Sequence, residues 1–559
     1  MTADLAGVPA AAAAAAPVGG EPGLTVARAI LGQLAQAGVS VAFGLPGVHN
    51  LAFWQDGPGP APEIIGTRHE QTTVYAADAL ARASGGLGVA LTTTGPGAAN
   101  AVAAFGEAAA CGSPVLLIAS EIATTVHRPG VLRGSLHESA DQAAIFEPLA
   151  KAVLRPRTAA AAVAATAEGA ALALQWPRGP VYVDIPADVL GQAAGPAVAP
   201  LPPPHRVPPG PEAIAAAAAL IAASERIVLW VGGGVVQSGA EAEATELAQR
   251  LGCPVLATWA GRGAVPAGHP CSVDLPPHEP EAAALLAEAD LLIAVGSVLD
   301  GPNTKNWTMP MPPALLVINA DAGPVNYVPD VAVTADAAAA LRALLAVVPA
   351  RTADLGRVRE ARESGRRRLR ADAATGPACA LVDAVDAAAG SCDATVINDM
   401  AIAGYWVGGY ASFGASRRMQ YPVGWGTLGY ALPAAVGAGA LRDRPVLAVC
   451  GDGGFMFAVG ELAVLAEHRL PVTILLVDDG GYGMLRFDQE QSGDAPRGVD
   501  LVRPDFAALA AAFGIGCATA SLATLGGALT EALASGEPRI VLLAQQLYPP
   551  RTVSARWSA

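Results

Sequence analysis

Val446-Leu447-Ala448-Val449-Cys450 runs straight into Gly451-Asp452-Gly453-Gly454-Phe455, and Val472-Thr473-Ile474-Leu475-Leu476-Val477 into Asp478-Asp479-Gly480-Gly481-Tyr482-Gly483. Each is a short apolar run closed by turn residues, the pattern of a strand buried on both faces. A helical interval separates them, so the two strands read as parallel, with their carboxyl ends at one rim of a sheet. Open α/β sheets bind ligands at that rim. Two bare carboxylates there, Asp452 and Asp479, can share one hard cation, while Gly453 and Gly454 let backbone N–H groups approach an anion. Magnesium, which keeps octahedral geometry and bridges to phosphate oxygens, suits such a pair. A lone Gly-Asp-Gly reads equally well as an ordinary polar turn. The second loop, at the right distance beyond the helix, shifts the balance to a metal site.

Upstream, Val423-Gly424-Trp425-Gly426-Thr427-Leu428-Gly429-Tyr430 precedes a small-residue helix. Its glycines imply a backbone that passes close to something. Leu428 alone reads as core. Val396-Ile397-Asn398-Asp399-Met400 begins this last sheet, and the charge-dense run Arg362 to Arg370 before it reads as a solvated linker helix.

Near the start, Val26 to Ala37 has helical spacing and Val41-Ala42-Phe43-Gly44 reads as a buried strand. A loop, Leu45-Pro46-Gly47-Val48-His49-Asn50, follows it. Ile64 to Gln71 then sets Glu70 at the mouth of a helix, where a glutamate ordinarily serves the helix dipole. Val89 to Thr94 is a β-branched strand ending in Gly95-Pro96-Gly97-Ala98-Ala99-Asn100, on its own a turn. Ser135 to Gln142 is polar and loop-like, and Gly179 to Pro186 is a strand with a proline stop. His49 and His137 titrate near neutral pH and can relay protons, though each alone reads as a structural histidine. In the middle, Ile227 to Val231 runs into Gly232-Gly233-Gly234, a weak nucleotide-binding pattern, and Leu291 to Val295 and Leu315 to Ile318 add strands. The Pro-rich run 196–211 is a semi-rigid linker.

At 559 residues the chain has length for about three to five domains, and 52% hydrophobic against 15% charged content lets it bury large cores. A net charge of −15 argues against nucleic-acid binding. No stretch of about 18 strongly apolar residues marks a membrane span. Seven scattered cysteines fit a reducing cytoplasm better than a disulfide framework. The Ala/Pro-rich opening, residues 1–22, reads as a disordered tail rather than a signal.

Taken together, Gly451-Asp452-Gly453 with Asp479 and Gly481 resembles the diphosphate–magnesium motif of thiamin-diphosphate enzymes, and Phe43 to Glu70 resembles the pyrimidine-binding domain of their acetohydroxyacid (acetolactate) synthase group. The resemblance covers the chain beyond the tail and implies an α/β fold of three doubly wound parallel-sheet domains. These are a pyrimidine-binding domain (24–190), a middle domain (212–349) and a diphosphate-binding domain (377–550). It implies that Asp452 and Asp479 bind Mg2+ by side chain and Gly481 by its carbonyl. Asparagine is usual at the second position, and the aspartate here adds negative charge and makes metal affinity more pH-dependent. Glu70 is implied to hydrogen-bond the aminopyrimidine ring, which lets the cofactor deprotonate its own thiazolium carbon. Pro46, Pro96 and Asn100 are implied near the pyrimidine. Gly424, Trp425, Gly426 and Leu428 would receive the bent cofactor, with Leu428 as its apolar wedge. Gly451, Gly453, Gly454, Tyr482, Gly483 and Met484 would complete the diphosphate side.

Departures from the pattern set the finer expectations. His137 stands where glutamine is usual, and with Gly47-Val48-His49 it resembles decarboxylases of cationic 2-oxo acids such as 5-guanidino-2-oxopentanoate. Asp488 stands near the position of a tryptophan that selects 2-oxobutyrate. Gly296-Ser297-Val298-Leu299-Asp300-Gly301 replaces the run that holds a flavin, so the weight is against FAD, which stays a minor expectation. The reading is a thiamin-diphosphate and Mg2+ dependent enzyme that decarboxylates a 2-oxo acid and, like acetolactate synthase, joins the product to a second carbonyl. A simple decarboxylase is the alternative, with His49 or His137 supplying the proton. A nucleotide-dependent oxidoreductase or a non-catalytic homologue would leave Glu70 without a role. A site shared between Glu70 of one copy and Asp452 of another implies a homodimer or homotetramer.

Overall fold

The computed structural model describes residues 24–550 apart from 129, 195–204, 322, 324–325 and 352–354. The expected tail over 1–22 and the first part of the proline-rich linker lie outside the described residues. Among the described residues the strands form three sheets, and their pairings are parallel throughout. The first holds β1 (Val41–Gly44), β2 (Glu63–Gly66), β3 (Gly88–Thr92), β4 (Val115–Glu121), β5 (Ala152–Leu154) and β6 (Val181–Pro186) in the order β2-β1-β3-β4-β6-β5. The second holds β7 (Ile227–Val231), β8 (Val255–Ala257), β9 (Leu291–Val295), β10 (Ala314–Asn319) and β11 (Val331–Thr334) in the order β11-β10-β9-β7-β8. The third holds β12 (Thr395–Asn398), β13 (Met419–Gln420), β14 (Val446–Gly451), β15 (Val472–Asp478), β16 (Gly516–Ala520) and β17 (Arg539–Ala544) in the order β13-β12-β14-β15-β17-β16. The expected α/β class with three doubly wound sheets is what the chain adopts.

Strand order reverses between β1 and β3 in the first sheet, between β7 and β9 in the second, and between β12 and β14 in the third. At such a switch point the two following loops leave in opposite directions and open a crevice at the carboxyl ends. The loops singled out above, which hold Pro46 to Asn50, Gly95 to Asn100, Gly232 to Gly234 and Gly451 to Gly454, leave strands that flank these three crevices. Gly95-Pro96-Gly97, a turn by sequence, departs from that reading: it opens a short helix, Pro96–Asn100, with Pro96 in its first turn where a missing N–H costs nothing.

Period-2 alternation along the third sheet explains the layering. Val446, Ala448 and Cys450 face a core shared with Val41, Phe43 and Leu117 of the first sheet. Leu447 and Val449 face a second core shared with Trp230, Leu292 and Val317 of the middle sheet. Buried on both faces, these strands are near-continuous apolar runs. The third sheet therefore shares a core with each of the others. Between first and third sheets the Glu70–Ser84 and Ala431–Gly439 helices cross backbone to backbone, because a Cβ at Gly437 would overlap the Ala76 carbonyl. The crossing is tied by Tyr430, whose hydroxyl bonds Asp78 Oδ2 at 2.8 Å and receives a hydrogen bond from Arg82 at 2.9 Å.

Candidate active site

Beside the third switch point β14 and β15 pair in register from Val446 with Val472 to Gly451 with Val477, which brings Asp452 and Asp479 to the same rim. Asp452 starts a short helix, Asp452–Phe455, and is buried. The two carboxyls lie within hydrogen-bonding reach of each other. Burial and the Asp452 charge push Asp479 up to about 7, and burial also raises Asp452. Asp452 Oδ1 is buried without a hydrogen-bond partner. Two acids this close repel one another when both are ionised, and a divalent ion between them would relieve that repulsion. Among the described residues no cluster of three or more His, Cys, Asp and Glu side chains would hold a metal. This pair therefore needs further oxygen donors from a carbonyl and from a bound anion. The residues fit an ion and a diphosphate held together.

Glycines make room for that anion. A Cβ at Gly453 would lie 2.8 Å from the Tyr482 ring, and one at Gly483 would strike Asp479. Gly481 takes φ +142° and bridges to Asp500, conformations open to a residue without a side chain. A cavity of about 170 Å³ opens here, lined by Gly426, Leu428, Gly451, Gly453, Gly454 and Asp479, with Gly481, Tyr482, Gly483 and Met484 beyond them. Met400, Ile402 and Tyr405, which follow β12, close its other side. Leu428 is 37% exposed and Trp425 is 50% exposed, so neither is plain core.

Pro46, His49, Glu70, Pro96, Asn100 and His137 gather instead at the first switch point. Glu70 begins its helix, is buried, and accepts a hydrogen bond from Asn100 Nδ2 at 3.0 Å. The Pro96–Asn100 turn passes so near that a Cβ at Gly97 would lie 3.3 Å from Glu70 Oε1. Asn50 holds the Pro46 loop, accepting from Gly47 N at 2.8 Å and donating to the Leu45 carbonyl at 3.0 Å. The rings of His49 and His137 meet edge to face at 5.3 Å. His137 sits in the left-handed region at φ 64°, with its carbonyl against Gly95. His49 Nε2 and His137 Nδ1 are buried atoms without a partner in the chain. Burial, then the neighbouring His137, lower the His49 pKa. None of this first group lines the cavity of the third sheet.

Three family models match the chain in this same order. They are the thiamine pyrophosphate enzyme N-terminal TPP binding domain over residues 24–145, the central domain over 214–344, and the C-terminal TPP binding domain over 399–543. The chain is a member of the thiamine pyrophosphate enzyme family. It is 36% identical over 520 residues to a probable 2-ketoarginine decarboxylase of Pseudomonas aeruginosa, covering 88% of each chain. It is 30% identical over 546 residues to a probable acetolactate synthase large subunit of Methanocaldococcus jannaschii, covering 92% of this chain and 91% of the relative. An acetolactate synthase large subunit of Parasynechococcus marenigrum is 32% identical over 525 residues, or 88% of this chain and 82% of the relative. As a family member the chain is a thiamin-diphosphate enzyme, resembling both acetolactate synthases and a 2-oxo acid decarboxylase.

Several residues that organise these two rims were not singled out by sequence. Asp399 is buried and pushed up to about 6 by burial; its Oδ1 accepts from Met400 N at 2.8 Å and Gly429 N at 2.9 Å. Its Oδ2, buried without a hydrogen-bond partner, lies where a Cβ on Gly454 would come within 2.9 Å, so the two loops pack closely only because residue 454 is glycine. Gln142 bridges inward, accepting from Gly95 N at 2.5 Å and donating to Asp184 at 2.8 Å and Tyr182 at 2.9 Å. Asp184 is pushed up to about 7 by burial and by Glu121. Glu461 accepts from the Arg68 backbone N–H at 3.1 Å and so holds the turn into Glu70 from the third domain. Among them Asp399 alone carried a positional signal in the sequence, a polar residue at the carboxyl end of an apolar strand. At the middle switch point a second cavity, about 560 Å³, is lined by Gly233, Gly234, Gly296, Arg178, Arg262 and Arg417 among others. Asp300 there is spent on Asn303, receiving its backbone N–H at 3.0 Å and its Nδ2–H at 2.8 Å.

Proposed function

We propose that the chain decarboxylates a 2-oxo acid with thiamin diphosphate and Mg2+, and joins the remaining acyl carbon to a second carbonyl to give a hydroxyketone. The observation that carries this is the rim beside the third switch point. Two mutually repelling buried carboxylates, a glycine cradle and a cavity stand side by side, within a chain whose three domains match the family. Bound there, the cofactor supplies an electron-accepting carbon that makes loss of carbon dioxide accessible. Asp452, Asp479 and the Gly481 carbonyl hold the ion. Gly453, Gly454 and Gly483, without side chains, would let the diphosphate come close to the backbone, and Leu428 with Met484 would supply apolar surface. Glu70, kept in place by Asn100, holds a proton at the pyrimidine nitrogen.

Glu70 and the metal rim stand beside different switch points, and the cavity draws on the third domain alone. That supports a site completed by a second copy, in a homodimer or homotetramer. The seven free thiols support a reducing cytoplasm as its compartment. A simple decarboxylase is the second reading, favoured by the His49–His137 pair with its two unpartnered ring nitrogens. Asp488, whose charge reaches Tyr405 beside the cavity, would suit a cationic substrate tail. The test is carbon dioxide release from a panel of neutral and cationic 2-oxo acids, with and without pyruvate or an aldehyde as acceptor. Hydroxyketone formation supports the first reading, and aldehyde release that ignores the acceptor supports the second. No release with any acid from protein loaded with thiamin diphosphate and Mg2+ would sink both.

A further inference from the structure

The loop that carries Trp425, Gly426 and Leu428 belongs to the third domain, yet it is held from the first. Glu107, on the Val102–Ala110 helix, is fully buried. Its Oε1 accepts from Gly424 N at 3.3 Å, and its Oε2 from Trp425 N at 3.1 Å and Thr427 Oγ1 at 3.4 Å. The same helix fits the loop sterically. A Cβ at Gly106 would lie 2.5 Å from the Trp425 ring, and a Cβ at Gly424 would overlap Ala110. Successive N–H groups turned onto one carboxylate fix the orientation of their peptides. A buried acceptor of this kind is costly to lose, since removing it leaves several donors unpaired at once.

From this arrangement we infer that Glu107 is a positioning residue for the cofactor loop. By clamping Gly424, Trp425 and Thr427 it sets where Gly426 and Leu428 enter the cavity, and so how tightly and in what shape the cofactor is received. Glu107 does not itself line the cavity. The consequence for binding rests on the thiamin-diphosphate reading above; the clamp itself does not. Glu107→Gln is the sharp variant, since it keeps the shape but turns an NH2 group toward donors. Thr427→Val, which removes one bond, covers the case where Glu107→Gln fails to fold.

Two measurements on the full-length protein decide the matter. Hydrogen exchange of the 423–430 segment without cofactor should be faster in Glu107→Gln by about tenfold or more, the scale of one lost charge-assisted hydrogen bond, and more modestly so in Thr427→Val. Thiamin diphosphate titrated with Mg2+, read by calorimetry, should show a dissociation constant raised by a similar factor, while KM for the 2-oxo acid at saturating cofactor stays near wild type. Unchanged exchange of the segment overturns the clamp. Faster exchange with unchanged cofactor affinity overturns its role in binding. Wild-type protein that takes up no thiamin diphosphate overturns the proposed function instead, and the exchange result still decides the clamp.

Discussion

Asn100 donates its side-chain amide to Glu70 at 3.0 Å, and this bond joins the loop after β3 to the helix after β2. It steers one oxygen of a buried carboxylate and leaves the other beside Gly97, where no side chain intervenes. Glu70→Gln keeps the size and the Asn100 contact but cannot hold an exchangeable acid proton. It should fold and bind cofactor as wild type while turnover drops roughly 10²- to 10⁴-fold, the usual worth of a positioned acid–base group. Near-normal steady-state rates would remove Glu70 from the chemistry.

Asp479→Ala relieves the repulsion beside the third switch point and removes one ion ligand. Loss of even a supporting contact around a metal costs about 10- to 100-fold in affinity, and loss of a ligand at least as much. Calorimetric titration of Mg2+ with thiamin diphosphate should show that weakening. A chelator should strip activity from the wild type, and added Mg2+ should restore it. Metal-independent activity would argue that the two acids serve another purpose.

His49 has its pKa lowered in the fold by burial and then by His137. The folded chain therefore binds fewer protons at this site than the unfolded one below the unfolded value of about 6.5. Its contribution to stability is full above that value and is lost as pH falls below it toward the folded pKa. His49→Gln should shrink the difference in melting temperature between about pH 5 and pH 7.5. His49 is neutral near pH 7, so it passes on a proton it has first accepted. The same variant should cut aldehyde release by about 10²-fold if that proton ends on the product. An unchanged pH dependence would show that the ring titrates as though exposed.

Gly437→Ala tests the helix crossing. A methyl group there meets the Ala76 backbone, which cannot swing aside as a side chain would. Overpacking of this kind costs about 1–3 kcal/mol, and more where the backbone has to move. Urea denaturation should show a lower midpoint with little change in slope. An unaltered midpoint would mean that the crossing opens without penalty.

The fold and the acidic rim of the third sheet were legible because both rest on local patterns. Apolar runs ending in Gly451-Asp452-Gly453 and in Asp479-Gly480-Gly481 announce parallel strands and their loops without help from distant residues. Glu70 and the two histidines were legible one by one, but their company was not. That Asn100 steers Glu70, or that His49 meets His137, depends on loops joined across a switch point. Glu107, Asp399, Glu461 and Gln142 escaped notice for the opposite reason. Each is one polar residue inside or beside an apolar run, and only the tertiary fold reveals the backbone N–H groups each receives. The short helix at Pro96–Asn100 read as a turn because Gly-Pro-Gly is a turn signal wherever no crevice beyond it demands otherwise.

Because the third sheet is walled by a shared core on each side, its rim is the keystone of the molecule. The cofactor loops stand on strands that no single neighbour can tilt alone. Random drift in the outer sheets should therefore reach the reaction centre as small, damped displacements. The middle module, which shares a core with the third sheet alone, is the part in which new ligand preferences can accumulate without unsettling the chemistry.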